Sequence, residues 1–320
     1  MRQFLEEGLA ASTRKVYKAG WNRYIAFTGA FNIPPSPLTT EKVTLFVAYL
    51  GSEGLSISTI QSYMAALRYF LILADPGNSS PSFHSPHMAV LLRGIKRYQS
   101  LQGPKTVRLP ITASIMRRIK SVLAQEGASY YNILTWAACC TGFFGFLRCG
   151  EFLLPDGSDF DSNAHLSLMD ISLDTSGNNW RFTLSIKISK TDQFRMGALV
   201  VLGTTNSDLC PVAALLDYLA LRGQIPGALF CLEDGRPLKR RVFTASVQQA
   251  LTSSGLIGTQ FNGHSFRIGA ATTASAVGLP DSTIKSLGRW SSDAFQGYIR
   301  PSPEDLVGVA GLLASKEPSP

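Results

Sequence analysis

Six side chains in the second half of the chain could together handle a phosphate: Arg148, Lys190, His264, Arg267, Trp290 and Tyr298. Guanidinium, ammonium, imidazole and indole N–H groups are donors suited to phosphate oxygens. A phenol is a nucleophile when the charge developing on its target is stabilised. Four of the six fall in short boxes, Gly263-His264-Ser265-Phe266-Arg267, Leu287-Gly288-Arg289-Trp290 and Gly297-Tyr298-Ile299-Arg300. The first reads as a helix start, whose unpaired N–H groups attract anions, with His264 and Arg267 on one side of its opening turn. Each residue also has a plainer reading: a satisfied structural histidine, a core indole, a packing tyrosine.

Arg148 ends the strongly apolar run Ile133 to Leu147, and Glu151 follows on the same face three residues later. A buried arginine needs a partner. Glu151 can orient Arg148 while leaving donors for a phosphate, or the two can form a purely structural ion pair. Lys190 is expected in a polar turn between apolar strands, where a lysine can equally be just solvated. Lys187 competes with it but lies on the strand face opposite Ile186 and Ile188, as an ordinary exposed strand lysine. The chain holds no Gly-x-x-x-x-Gly-Lys-Ser/Thr loop, no His-Glu-x-x-His and no paired-carboxylate metal site. Phosphoryl transfer here would draw its charge stabilisation from Arg, Lys and His, so neither metal nor cofactor is expected.

The frame that must position these groups is a folded one of 320 residues, 45% hydrophobic and 16% charged, long enough for two domains. The net charge of +8 favours a polyanionic partner. It is uneven: residues 1–105 carry 11 Lys and Arg against 5 Asp and Glu, so the N-terminal third is the stronger electrostatic clamp or, in the plainer reading, a solvated basic face. Five cysteines without C-x-x-C spacing suggest neither a disulfide framework nor zinc, and fit a reducing intracellular compartment. No signal-peptide core is seen, and the longest apolar run falls short of the ~20 residues that span a bilayer, so no membrane partner is expected.

Period and punctuation divide the chain into a helical module over 1–102, a linker over 103–105 and a larger domain over 106–320. In the module, Tyr17, Trp21 and Tyr24 form one apolar stripe, and Val43, Phe46, Val47 and Leu50 a second. Ile60, Met64, Leu67 and Leu71 form a third, and a last helix begins near Met88. Arg14, Lys15, Lys18 and Arg23 lie off the first stripe, Arg68 points outward from the third, and Arg93, Lys96 and Arg97 lie on the last helix. His84 and His87 read as loop residues. In the larger domain, helices over 112–125 and 129–149 precede three antiparallel strands, with Lys190 at the second turn. Pro211 opens the next helix, Leu229-Phe230-Cys231 a short strand, and Arg240 and Arg241 begin another helix. A final short helix is expected over Leu306 to Ala314.

Taken in order, Arg148, Lys190, His264-x-x-Arg267, Trp290 and Tyr298 resemble the tyrosine recombinase (phage-type integrase) family, over nearly the whole chain. Gly-His-Ser-Phe-Arg-Ile-Gly-Ala-Ala, Gly-Arg-Trp and Tyr-Ile-Arg are Cre-like, and Leu-Arg-x-Gly-Glu resembles the family's first arginine box. Ser-Lys-Thr-Asp-Gln-Phe-Arg-x-Gly is similar to the hairpin lysine region of integrases from eukaryotic mobile elements. Trp290 precedes Tyr298 by eight positions, one fewer than usual. Arg289 has the commoner spacing, but Gly-Arg-Trp aligns better with Trp290 as the phosphate donor.

The resemblance implies a mostly α, α+β fold: a helical core-binding (SAM-like) DNA-binding domain and a catalytic domain with a three-stranded antiparallel sheet, the two clamping a duplex. It implies metal-independent strand cleavage and rejoining through a 3′-phosphotyrosyl link made by Tyr298. Arg148, Arg267, His264 and Trp290 would hold the phosphate, Lys190 would protonate the leaving 5′-oxygen, and Glu151 would orient Arg148. Arg14, Lys15, Lys18, Arg68, Arg93, Lys96, Arg97, Arg240 and Arg241 are the candidate DNA contacts. The implied partner is double-stranded DNA held by a homotetramer on two sites, with no small-molecule ligand, and Leu306 to Ala314 exchanged between neighbours or packed in cis. The implied location is intracellular and DNA-associated, nuclear in a eukaryote. A type IB topoisomerase-like relaxing enzyme and a domesticated, non-catalytic DNA-binding protein are the competing readings.

Overall fold

A computed structural model describes residues 8–74, 82–103, 107–190, 192 and 195–300. The chain divides into two compact units, Met1–Thr106 and Val107–Pro320.

In the first unit, described residues form four helices: α1 (Ala11–Ala30), α2 (Thr40–Ser52), α3 (Ile57–Ala74) and α4 (Pro86–Leu101). The expected stripes build its core. Tyr24, Phe27, Val43, Phe46, Val47, Leu50, Ile60, Met64 and Leu67 are buried together, and Trp21 and Tyr63 pack against them. Side-chain oxygens of Thr39 and Ser85 accept the N–H groups of Lys42 and Met88, capping α2 and α4. Because Pro86 sits in the first turn, α4 begins two residues before the expected start and takes in His87. Helix α3 is long and apolar enough to cross a membrane by length and composition. Its Ile60, Met64, Ala66 and Leu67 are instead buried within this unit.

The second unit surrounds α6 (Tyr130–Phe144), whose Leu134, Ala137, Ala138, Cys139 and Cys140 are fully buried. Against it pack α5 (Ala113–Gln125), α8 (Pro211–Arg222), α9 (Arg240–Ser253) and α10 (His264–Ala276). Between α5 and α8 in the chain come α7 (Cys149–Phe152) and the strands β1 (Ile171–Asp174), β2 (Arg181–Ile186) and β3 (Ala198–Gly203). The strands form one antiparallel sheet in the order β1-β2-β3, with Leu184 opposite Ile171 and Val200. Phe182, Leu184 and Ile186 alternate into the core with Val200 and Leu202. The architecture is the expected one: helix-rich, with one small antiparallel sheet.

Three local expectations change. Leu229-Phe230-Cys231 makes only an isolated bridge from Cys231 to Pro237. The apolar helix stops at Phe144, with Gly145 as its cap and Phe146 at φ +51, a left-handed conformation that halts an α-helix. Arg148 therefore does not end that helix but caps α7 from extended backbone. The helix expected over Leu306 to Ala314 lies outside the described residues, as do the linker residues Pro104 and Lys105.

Candidate active site

The break after α6 gives Arg148 its setting. Its backbone N–H donates to Glu151 Oε2 at 2.9 Å and its Nη1 to Glu151 Oε1 at 3.0 Å. Oε2 also accepts from Arg289 Nη2 at 2.9 Å. One carboxylate, its side chain 2% exposed, thus faces two guanidinium groups. Burial makes that pairing obligatory, because an unpaired carboxylate in this position would lose its hydration for nothing. The balance of charge around Glu151 stays positive, as a site for an anion requires.

Helix α10 brings the second arginine. Cys149 Sγ donates to Gly263 O at 3.3 Å, and a Cβ on Gly263 would sit 2.3 Å from that sulfur. The glycine therefore lets the start of α10 close on α7, which puts the His264 and Arg148 boxes side by side. Arg267 is 0% exposed. It donates Nη1 to Phe146 O at 2.5 Å and Nη2 to Gly288 O. Its guanidinium carbon lies 4.1 Å from the centre of the Trp290 ring and 5.8 Å from that of Tyr298. Burial, and next the Arg148 charge, push Arg267 down to about 10, so it stays protonated at neutral pH. A Cβ on Gly288 would fall 1.6 Å from the Trp290 ring, so only glycine lets the indole slide under Arg267.

Tyr298 ends the 3-10 turn Asp293–Tyr298, and α10 holds it: Thr272 Oγ1 donates to Tyr298 O at 3.1 Å and accepts the Arg300 N–H at 3.1 Å. Its ring meets His264 and Trp290 edge-on, each at 5.0 Å between centroids. His264 opens to solvent on its outer side, and its backbone N–H bonds Asn262 Oδ1. Desolvation, followed by the charges of Arg267, Arg148, Lys190 and Arg300, holds its imidazole below the usual histidine range. The ring is consequently neutral at neutral pH.

Lys190 is exposed in the β2–β3 connection, and its charge acts on His264, which brings it within electrostatic reach of the cluster. Asp192 organises that connection by accepting the N–H groups of Met196 and Gly197 at 2.9 and 2.7 Å. Thr191, Gln193 and Phe194 of the hairpin motif lie outside the described residues. Lys187 is not the solvated strand residue expected: β2 ends at Ile186, and Lys187 Nζ pairs with Asp170 at 2.6 Å and Ser162 O at 2.5 Å.

Five of the six candidates, Arg148, His264, Arg267, Trp290 and Tyr298, thus gather with Glu151, and Lys190 is exposed in the β2–β3 connection, its charge lowering the His264 imidazole. The Trp290 indole N–H, expected to face a phosphate, is buried without a partner among the described residues, and its ring face carries Arg267. Spacing raised Arg289 only as the alternative to Trp290, and it was passed over. The signals for Arg289 were a charge inside Gly-Arg-Trp and its commoner distance from the tyrosine.

The basic candidates belong to the two units separately. Lys15, Lys18, Arg68, Arg93, Lys96 and Arg97 are exposed on α1, α3 and α4, with Arg14 half-buried, whereas Arg23 is held by Glu53 at 3.0 Å. Arg14 and Lys18 line a cavity of about 570 Å³ with Tyr17, Trp21, Tyr69 and Phe70. Arg240 and Arg241 are exposed at the start of α9.

No protein-family model matches the chain, and no curated protein matches it in sequence. Solved structures do. A lambda integrase dimer bound to a COC′ core site is similar at a TM-score of 0.59 and 16% identity, over 92% of this chain and 90% of that one. XerH site-specific recombinase bound to palindromic difH substrate gives 0.58 and 16%, over 87% and 71%. The Tn1549 transposon integrase in complex with transposon right end DNA gives 0.56 and 16%, over 93% of each chain. The fold is that of the tyrosine recombinases.

Proposed function

We propose that the chain cleaves and rejoins DNA strands at specific sites through a covalent 3′-phosphotyrosyl intermediate. One observation carries this reading: the Tyr298 ring is in edge contact with the His264 imidazole, with one arginine beneath it and a second beyond, tied to a buried carboxylate. The phenol oxygen attacks phosphorus, the bond from phosphorus to the 5′-oxygen breaks, and the 3′-phosphate stays on the enzyme. His264, neutral and adjacent, takes the phenolic proton. Lys190 gives a proton to the departing 5′-oxygen. Arg148, with Nη1 on Glu151 and its other nitrogens uncommitted among the described residues, binds a non-bridging oxygen, while Arg267 supplies charge from below. Trp290 carries Arg267. The reverse sequence rejoins the strand without loss of phosphodiester energy, so no nucleotide cofactor is needed.

The same reading makes the first unit a core-binding domain and the second the catalytic domain. Exposed lysines and arginines of the first unit and the α9 start then grip the backbone of double-stranded DNA. Two sites held by four copies would complete a recombination reaction, and the protein acts wherever its DNA resides. The test is covalent trapping. The full chain is incubated with nicked duplexes from the DNA flanking its coding region, where loss of a short 5′ fragment prevents religation. An adduct at Tyr298 is expected; DNA binding without adduct would favour a non-catalytic protein. Relaxation of supercoiled plasmid without exchange between duplexes would favour the topoisomerase reading.

A further inference from the structure

Arg289 is built at a cost that its surroundings explain. Its φ of +55 is a left-handed conformation that residues with a Cβ rarely adopt, and glycine would suit the backbone better. Its guanidinium nevertheless turns inward, with Nη2 on Glu151 Oε2, Nη1 on Gly145 O at 3.2 Å, and Nε buried without a partner among the described residues. The neighbouring carbonyl, Phe146 O, is held by Arg267 Nη1, so two arginines grip consecutive carbonyls of the loop that presents Arg148. Glu151, the carboxylate that orients Arg148, is held by Arg289 from its other oxygen. Gly288 and Trp290 on either side engage Arg267. The tripeptide Gly288-Arg289-Trp290 therefore braces both arginines of the cluster at once, Arg267 directly and Arg148 through Glu151 and the Gly145–Arg148 loop.

We propose that Arg289 is a positioning residue, fixing Arg148 for the non-bridging phosphate oxygen through Glu151 and the loop carbonyl of Gly145. The proposal rests on the recombinase reading for the reaction, but not for the geometry. Arg289→Gly is the informative variant, because glycine accepts the backbone conformation at this position and the fold should survive. Cleavage of a nicked phosphodiester substrate is expected to slow by on the order of 100-fold, the size of effect an ångström of misplacement produces. On a methylphosphonate substrate, which is neutral and lacks one non-bridging oxygen, there is less charge for Arg148 to meet. There the defects of Arg148→Ala and Arg289→Gly should shrink together, and the double variant should be no slower than Arg148→Ala alone. A merely structural role would slow both substrates alike and add to the Arg148→Ala defect, overturning the proposal.

A second readout needs no DNA. With guanidino-nitrogen labelling, the Arg148 side-chain resonance should be well dispersed in the wild-type chain and collapse toward the free-arginine position in Arg289→Gly. An unchanged resonance with unchanged cleavage would sink the positioning role while leaving the recombinase reading intact. A collapsed resonance in a chain whose wild type forms no adduct would do the reverse.

Discussion

The guanidinium carbon of Arg267 lies over the indole of Trp290, 4.1 Å from its centre, with no exposure to solvent. A cation taken out of water keeps its charge only if something replaces its hydration, and here two carbonyls and an aromatic face do so. In the proposed reaction Trp290 would therefore act on the phosphate only through Arg267.

Trp290→Phe should consequently keep most of the cleavage activity, since a ring remains beneath Arg267, whereas Trp290→Ala should lose both activity and about 3 kcal/mol of stability. Single-turnover cleavage and thermal melting measure the two. If Trp290→Phe were as impaired as Trp290→Ala while melting like wild type, the indole N–H would be acting as a phosphate donor.

Glu151→Gln removes the buried charge that two half-buried guanidinium groups share. Breaking such a pair leaves like charges facing each other and should cost about 3 kcal/mol, seen as a lower melting temperature. Raised salt should recover little of it, because the group is buried and poorly screened. Full recovery in salt would mean that the cluster is more open than its geometry indicates.

The depressed histidine gives a pH signature with a definite sign. His264 in the fold binds its proton at lower pH than in the unfolded chain, because desolvation of its inner side and four positive charges oppose it. As pH falls below about 6.5, the unfolded state takes the proton first and folding weakens until the folded imidazole also titrates. The melting temperature of the wild type should therefore drop relative to His264→Gln between about pH 7.5 and 5.5. Parallel curves for the two proteins would contradict the shift.

Lys190→Ala should slow cleavage of an ordinary phosphodiester and be rescued by a 5′-bridging sulfur, which leaves without needing a proton. Lys187→Ala should instead lower stability, through loss of its Asp170 pair, with no change in the sulfur-to-oxygen rate ratio. A Lys187-dependent ratio would move the general acid to that residue.

Much of this arrangement was legible in the residues because periodicity reports burial. The α2 stripe, most of the α3 stripe, Tyr24 of the α1 stripe, and the alternation of Phe182, Leu184 and Ile186 reached the core as expected, whereas Tyr17 and Leu71 are only half-buried. The hinge before Arg148 was not legible, since Gly145 and Phe146 sit in an unbroken apolar run and only the positive φ reveals the turn. The sharing of Glu151 by Arg148 and Arg289 was hidden for another reason. The two arginines are 141 positions apart in the chain, and nothing local in Gly-Arg-Trp says that its charge points inward. Spacing identified Trp290 as part of the site, but whether an indole offers its edge or its face depends on what lies above it. Here that is Arg267.

The most direct measurement of the central claim is covalent trapping with Tyr298→Phe beside the wild type, on the same nicked duplex and with binding measured in parallel. A protein–DNA adduct that peptide mapping assigns to Tyr298, its loss in the variant, and equal DNA affinity for both are expected. An adduct that persists in Tyr298→Phe, or a wild type that binds the duplex tightly and never becomes linked to it, would contradict it.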